Sequence, residues 1–244
     1  AEREKRANLR LITRSLMNPG KGILAIDEST KSLAKRLEKF GISNSRGKRR
    51  EFYQLMVGTP RLQDYVSGVI LSDENSQFHA NGGQTMVKYL TDRGIIPGIK
   101  ADQGLMMMEQ SLENHARGIE TVAKRLRQAY ETGFRFAKWR AAFEIASEKP
   151  GFFAVEQNAE ELATFAKESQ LAGLVPVVEV DISMSGDHTI EKSAEVAARV
   201  LAQVFEKLEQ RHIDLAGCLL KCNMIASGLG AEYQATPNEV GIAT

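Results

Sequence analysis

The sequence predicts an α/β fold in which strand–helix units repeat around a closed parallel barrel. Two observations lead to this prediction. Short runs rich in Val, Ile and Leu alternate with long amphipathic stretches, as in parallel α/β proteins. In addition, charged residues follow each apolar run. A chain of 244 residues is long enough for one large core, so we expect a single domain over residues 1–244.

Six apolar runs are expected to form the strands. Their apolarity is continuous rather than alternating, which is typical of strands that are buried on both faces. The runs lie at residues 22–26, 66–71, 95–99, 134–137, 174–178 and 217–220.

Helical patterns occupy the stretches around these runs. They lie at residues 9–17, 49–56, 119–130, 158–172 and 190–208. In the fourth of them, we expect Asn158 to be the N-cap, because Glu160 and Glu161 fall in the first turn and Gly173 lies just past the end.

The charged residues at the strand ends favour a closed barrel over an open sheet. An open sheet gathers its polar groups near one switch point, whereas a barrel brings the carboxyl ends of all its strands to one mouth. We therefore predict a (β/α)8 barrel of the TIM type, with about six of its eight βα units in these residues. The strand ends are Asp27-Glu28, Asp73-Glu74, Lys100-Ala101-Asp102, Lys138-Trp139-Arg140, Glu179-Val180-Asp181 and Lys221.

A shared mouth of this composition would support chemistry at an amine. Neighbouring ammonium groups and an apolar environment both lower the pKa of a lysine, and a neutral amine attacks a ketone. The carboxylates would move protons during carbinolamine dehydration and C–C cleavage, and the remaining cations would hold phosphates. This chemistry requires no metal and no organic cofactor, and we expect neither.

Several of these residues also have a purely structural interpretation. The segment Asp27-Glu28-Ser29-Thr30 could form a helix N-cap. The tandem Arg49-Arg50 is typical of a solvated helix face, and Met106 to Met108 of packing or a flexible loop. The histidines lack metal-ligand spacing. What favours chemistry is that all six strand ends agree with one mechanism.

Five motifs, in order along the chain, resemble those of class I (Schiff-base) fructose-bisphosphate aldolases. They are GKGILAIDEST at residues 20–30, GIK at 98–100, FAKWR at 136–140, VPVVE at 175–179 and LLK at 219–221. The resemblance implies reversible cleavage of fructose 1,6-bisphosphate to dihydroxyacetone phosphate and glyceraldehyde 3-phosphate.

The resemblance also implies roles for the matching residues. Lys221 would form the Schiff base, Glu179 would be its acid/base, and Asp27 and Lys138 would assist C–C cleavage. Asp181, also in the catalytic set, stands where the family commonly has a glutamate. The positions that would bind the substrate and its 6-phosphate are Ser29, Ser32, Lys35, Arg36, Lys100 and Arg140.

The chain departs from the family pattern in several places. Cys222 replaces a proline, Lys31 replaces a glycine, and residues 105–120 lack the usual glycine-rich pattern. The family's last two strands, with the loop and arginine that bind the 1-phosphate, have no counterpart. We therefore expect either a longer chain or a shortened protein completed by a partner. The alternative function is an aldolase-derived scaffold or assembly subunit with little or no activity; another Schiff-base lyase fits the motifs less closely.

Composition limits the partners further. The net charge of +1 gives no reason to expect nucleic acid, and no stretch reaches the roughly 20 apolar residues that cross a bilayer. We expect a phosphorylated sugar as substrate, and a homo-oligomer or a partner covering an open barrel edge. We expect Cys218 and Cys222 to be reduced, which is typical of proteins of the cytoplasm or an organelle matrix. The segments Ala25-Ile26-Asp27 and Ile95-Ile96-Pro97-Gly98 look nearer to the cyanobacterial and plastid versions of the family, which favours the plastid stroma.

Overall fold

A computed structural model of the chain describes residues 2–80 and 82–244, which form two compact units. The first unit holds residues up to 101, 123–138 and 169–175, and the second holds residues 102–122, 139–168 and 176–244. The expectation of one domain over residues 1–244 stays a prediction. Within the described ranges, no helix is long and apolar enough to cross a membrane.

The strands confirm the predicted α/β class. They are β1 (Gly22–Ala25), β2 (Val66–Leu71), β3 (Ile96–Lys100), β4 (Leu105–Met107), β5 (Asn114–Ala116), β6 (Phe136–Phe143), β7 (Val175–Ile182) and β8 (Leu219–Cys222). Six of them form a sheet in the order β1-β2-β3-β6-β7-β8, and the pairings β1–β2, β2–β3, β3–β6 and β7–β8 are parallel. Each predicted apolar run contributes one strand to this sheet.

Helices connect these strands. They are α1 (Glu2–Leu16), α2 (Thr30–Glu38), α3 (Arg46–Val57), α4 (Leu62–Tyr65), α5 (Asp73–Ser76), α6 (Met86–Asp92), α7 (Val122–Glu131), α8 (Phe152–Ala172), α9 (Ile190–Gln210) and α10 (Pro237–Ala243). Short 3₁₀ turns cover Ile119–Thr121 and Leu215–Gly217.

A glycine in β3 allows the close approach of a buried aromatic ring. A Cβ atom at Gly98 would lie 2.2 Å from the ring of Phe136, which is fully buried at the start of β6. Any side chain at position 98 would clash with this ring, so the pairing of β3 with β6 requires a glycine there. This pairing sets Lys100 beside Lys138 in register, and the amide of Ala101 donates to the carbonyl of Lys138 at 2.8 Å.

Stacked aromatic side chains fix the second half of β6 within the second unit. Trp139 is fully buried, and its ring stacks on Phe165 of α8 with 5.7 Å between ring centroids. Trp139 thereby anchors the strand between Lys138 and Arg140, whose side chains leave the opposite face of the strand.

The predicted N-cap at Asn158 is wrong. Helix α8 begins at Phe152, six residues earlier, and Asn158 is buried inside it. The side-chain amide of Asn158 donates to the carbonyls of Ala154, at 2.9 Å, and Asn114, at 3.0 Å. Because these bonds satisfy the amide within the helix, the residue has no need to cap it.

The expected strand ends are also displaced in β6 and β7. Both strands run on to Phe143 and Ile182, so the charged residues from Lys138 to Arg140 and from Glu179 to Asp181 lie inside them. The charges alternate there with buried Trp139 and Val180, which is the period of a strand with one polar face. The antiparallel pair β4–β5 was not predicted, and it contains Met106 and Met107.

Candidate active site

The first unit holds a buried ion pair between Asp27 and Lys138. The Lys138 Nζ atom lies 2.9 Å from Asp27 Oδ2, and the side chains are only 4% and 10% exposed. Two buried charges are tolerated in this way only when they are paired. The structure thus brings together two of the predicted catalytic residues.

Asn75 holds the backbone just before Asp27, and it was missed by the sequence analysis. Its fully buried amide donates to the carbonyl of Ile26 at 2.6 Å, and the amide of Ile26 donates to Ile70 at 3.0 Å. Asn75 also closes a capping box with Ser72 at the start of α5. The Ser-x-x-Asn spacing resembles a capping box and was a usable signal for this role.

Four of the predicted phosphate-binding residues of the first unit lie at α2, whereas Lys100 ends β3. Ser29 is the N-cap, and its Oγ accepts from the amide of Ser32 at 3.1 Å and lies 2.9 Å from the hydroxyl of Ser32. Lys35 is exposed, whereas Arg36 pairs with Glu28 at 2.6 Å. The N-cap interpretation of this segment is therefore confirmed, and the polar groups it presents remain exposed.

The second unit holds another pair, between Lys221 and Glu179. The two residues are register partners on β8 and β7, and the ammonium of Lys221 donates directly to Glu179 Oε1. Glu179 is 9% exposed, but the side chain of Lys221 is 44% exposed. The amine is thus accessible to a ligand while it touches a carboxylate that can exchange a proton with it.

Arg140 of β6 and Asp181 of β7 form another pair in the second unit. Asp181 Oδ2 accepts from Arg140 Nε at 2.6 Å and lies 2.5 Å from Nη2. The aspartate is one methylene shorter than the family's usual glutamate, yet it reaches the guanidinium. This pair is partly exposed, and Arg140 is the cation of the second unit that the sequence analysis assigned to phosphate binding.

The other candidate groups have mainly structural partners. His115 Nδ1 lies 2.7 Å from Glu161, which ties β5 to α8. Burial lowers the pKa of His188, and burial raises the pKa of the Cys218 thiol to about 12. Across residues 2–80 and 82–244, no three His, Cys, Asp or Glu side chains are grouped so that they could hold a metal ion.

Comparison with known proteins identifies one enzyme family. A family model described as fructose-bisphosphate aldolase class-I matches residues 8–244. A probable fructose-bisphosphate aldolase class 1 of Xanthomonas campestris is 42% identical over 231 residues, which cover 94% of this chain and 69% of that protein. The chloroplastic fructose-bisphosphate aldolase 3 of Arabidopsis thaliana is 41% identical, over 93% of this chain and 58% of its own length.

A solved structure is also similar. It is the fructose-bisphosphate aldolase of Plasmodium falciparum in complex with TRAP and a small-molecule inhibitor, with a TM-score of 0.95 and 36% identity. The match covers 99% of this chain and 70% of that one. The chain therefore spans roughly two thirds of the length of the proteins it resembles.

Proposed function

This chain belongs to the class-I fructose-bisphosphate aldolase family of carbon–carbon lyases, and from that premise we propose that it cleaves fructose 1,6-bisphosphate through a Schiff base on Lys221. The products are dihydroxyacetone phosphate and glyceraldehyde 3-phosphate, and the same steps in reverse condense them. The observation that carries this proposal is the contact between the accessible Lys221 amine and the enclosed carboxylate of Glu179.

Formation of the Schiff base uses both members of that contact. The deprotonated amine of Lys221 attacks the C2 ketone of the sugar and gives a carbinolamine. Glu179 in its acid form then donates a proton to the departing hydroxyl, which leaves as water, and the iminium forms. Glu179 is mostly enclosed and Lys221 is not, which suits a proton donor fixed beside a nucleophile that must reach substrate.

Cleavage is assigned to the pair of the first unit. The carboxylate of Asp27 removes the proton of the C4 hydroxyl, the C3–C4 bond breaks, and its electrons pass into the iminium as an enamine. The C4 oxygen becomes the aldehyde of glyceraldehyde 3-phosphate. Protonation of the enamine at C3 and hydrolysis of the iminium then release dihydroxyacetone phosphate. Lys138 holds the Asp27 carboxylate in position, as the 2.9 Å ion pair supports.

The 6-phosphate of the sugar is assigned to a set of cationic and hydroxyl side chains. A phosphate accepts several charge-assisted hydrogen bonds, and the planar guanidinium group of arginine matches the geometry of its oxygens. Asp181 belongs to this arrangement because it holds Arg140. The residues proposed to bind the 6-phosphate are Ser29, Ser32, Lys35, Arg36, Lys100 and Arg140.

Assembly and location are proposed from the same resemblance. A homo-oligomer, or a partner that covers exposed sheet, would protect the apolar surface. A cytoplasmic or plastid-stromal location is proposed, and the chloroplastic Arabidopsis relative supports the plastid. The scaffold alternative has no need to retain Lys221 in contact with Glu179 and Asp27 in contact with Lys138.

Trapping the covalent intermediate tests the proposal. Reduction with borohydride in the presence of dihydroxyacetone phosphate is expected to add the mass of the reduced adduct to the peptide that carries Lys221. Lys221→Arg, which keeps a cation beside Glu179, is the matched control and should give no adduct. A folded wild-type protein that remains unlabelled at Lys221, or is labelled at Lys138 instead, would contradict the assignment.

A further inference from the structure

A basic cavity lies in the first unit, between the start of α3 and the segment after α5. Its volume is about 490 Å³, and its walls include Arg46, Arg50, Gln54, Gln77, Phe78 and His79. None of the residues assigned above to catalysis or to the sugar phosphate lines it. No carboxylate lines it either, as far as the described residues show.

The two arginines of this cavity lack a counter-charge. Arg46 and Arg50 stand four residues apart on α3, where like charges repel, and neither has a carboxylate partner among the residues that the structure describes. Their helix neighbours differ. Lys48 pairs with Glu51 at 2.7 Å, and Arg49 binds Glu74 at 2.6 Å. Among the cations of α3, Arg46 and Arg50 therefore remain available to an external anion.

The walls of the cavity are fixed by specific contacts. The guanidinium of Arg46 lies 5.3 Å from the centroid of the buried Phe78 ring, which restricts the conformations of the arginine. Gln54 donates to the carbonyl of His79 at 2.8 Å, and His79 forms a β-bridge with Thr85. These contacts restrict the side chain of Arg46 and hold the backbone at His79, while both side chains stay exposed to a ligand, and the restriction reduces the entropic cost of binding.

We propose that this cavity binds the phosphate group of a small phosphorylated metabolite, at a site separate from the catalytic residues. Two guanidinium groups and an imidazole offer donors to the three terminal oxygens of a phosphate monoester. The volume lies within the usual range for small-molecule pockets, roughly 300–1,000 Å³. The site stands on the first unit alone and does not depend on the proposed aldolase reaction.

Protection of arginines from chemical modification tests the site in the unaltered protein. The probe is inorganic phosphate, and chloride at the same ionic strength is the reference. We expect phosphate to slow phenylglyoxal modification of Arg46 and Arg50 severalfold, as read by peptide mass spectrometry. Arg127, an exposed arginine of α7 that does not line the cavity, is the internal control and should react at an unchanged rate. Equal rates with phosphate and chloride at Arg46 and Arg50 would overturn the proposal.

A matched pair of variants gives a second test. The ring resonances of His79 are followed by NMR during a phosphate titration, because they report this cavity and not the catalytic residues. Arg50→Gln should weaken the dissociation constant about tenfold, as expected for loss of one charge-assisted contact, whereas Arg127→Gln should leave it unchanged. If Arg50→Gln, folded by circular dichroism, bound phosphate with wild-type affinity, the site assignment would be wrong.

Discussion

The two units each hold a lysine–carboxylate pair, and the two pairs differ in exposure. In the first unit, Lys138 is 4% exposed and its partner Asp27 is 10% exposed. In the second, Glu179 is 9% exposed, but Lys221 is 44% exposed. The carboxylates are therefore almost equally enclosed, and the difference between the pairs lies in the ammonium groups.

That difference separates two tasks that a lysine can perform. Separating two enclosed opposite charges is costly, so Lys138 is suited to holding Asp27 in place. An accessible amine can lose its proton to the neighbouring carboxylate and still reach a ketone, so Lys221 is suited to covalent chemistry. The family motifs assign the Schiff base to Lys221, and among the described residues its side chain is the more exposed of the two.

Removal of the accessible amine is expected to have the largest effect. Lys221→Met should lower kcat for fructose 1,6-bisphosphate cleavage by at least about 10³-fold, because the covalent route is lost. Lys221→Arg should be as inactive although it keeps the charge, and its urea midpoint should match that of the wild type. Turnover is measured by coupling the triose phosphates to a dehydrogenase assay. An active Lys221→Arg variant would show that charge, and not a nucleophilic amine, is what this position supplies.

The enclosed pair should dominate stability, which is the second way to test the comparison. Asp27→Ala removes the carboxylate that pairs with the buried ammonium of Lys138 and should lower the free energy of unfolding by roughly 3–5 kcal/mol. Glu179→Ala leaves an ammonium that water can reach, so the loss of the ion pair should cost only about 0–1 kcal/mol. The lost packing of the glutamate side chain adds to this cost. Both values come from urea unfolding followed by circular dichroism.

A double variant provides the control for that measurement. Adding Lys138→Met to Asp27→Ala removes the buried ammonium as well and should recover part of the lost stability. Equal losses for Asp27→Ala and Glu179→Ala would show that exposure of the lysine does not distinguish the two pairs.

Much of this arrangement was predictable from the sequence because it follows the chain locally. Continuous apolar runs marked the six strands of the sheet, and the motifs placed Lys221 and Glu179 on neighbouring strands. The contacts that hold the site were harder to predict. Asn75 reaches the backbone at Ile26 across a long sequence separation, and Asn158 satisfies its amide inside a helix instead of capping it. The hydrogen-bond partners of these two side chains depend on which residues the fold brings close, and local secondary-structure propensity does not predict them.

The exact ends of the strands were missed for a related reason. Lys138 and Glu179 read as strand ends because a charge follows an apolar run, but β6 and β7 continue to Phe143 and Ile182. Pairing with a neighbouring strand keeps the backbone extended even where the side chains become polar. An alternating pattern of charge and apolar residue was present from Lys138 to Arg140, and weighing it as a strand signal would have corrected the boundary.

A smaller effect is expected at the pair of Arg140 and Asp181, whose side chains are both partly exposed. Asp181→Asn removes the charge that holds Arg140 and should raise KM for fructose 1,6-bisphosphate about tenfold, the size of one lost charge-assisted contact. If Asp181 acts by positioning Arg140, kcat changes far less than KM, and Asp181→Glu, the family's usual residue, preserves both. A fall in kcat with KM unchanged would instead place the Asp181 carboxylate in the proton transfers.

The smallest expected effect concerns His188, a buried ionisable group of the second unit whose Nδ1 atom has no hydrogen-bond partner among residues 2–80 and 82–244. Burial lowers its pKa below the ordinary value of 6.5, against the weaker opposing effect of Asp187. At higher pH the imidazole is neutral in both the folded and the unfolded chain and contributes no pH dependence. As the pH falls below the unfolded pKa, the unfolded chain binds a proton that the folded chain does not, so stability decreases until the folded pKa is reached.

His188→Gln isolates this contribution from those of the other titrating groups. As the pH is lowered from neutrality to about pH 5.5, the unfolding free energy of the wild type should fall by more than that of the variant. Urea midpoints of both proteins at each pH provide the measurement. A difference that stays constant with pH would mean that His188 titrates alike in the folded and unfolded chains. Burial without a partner would then fail to suppress a charge here, which would also weaken the contrast with the paired, enclosed ammonium of Lys138.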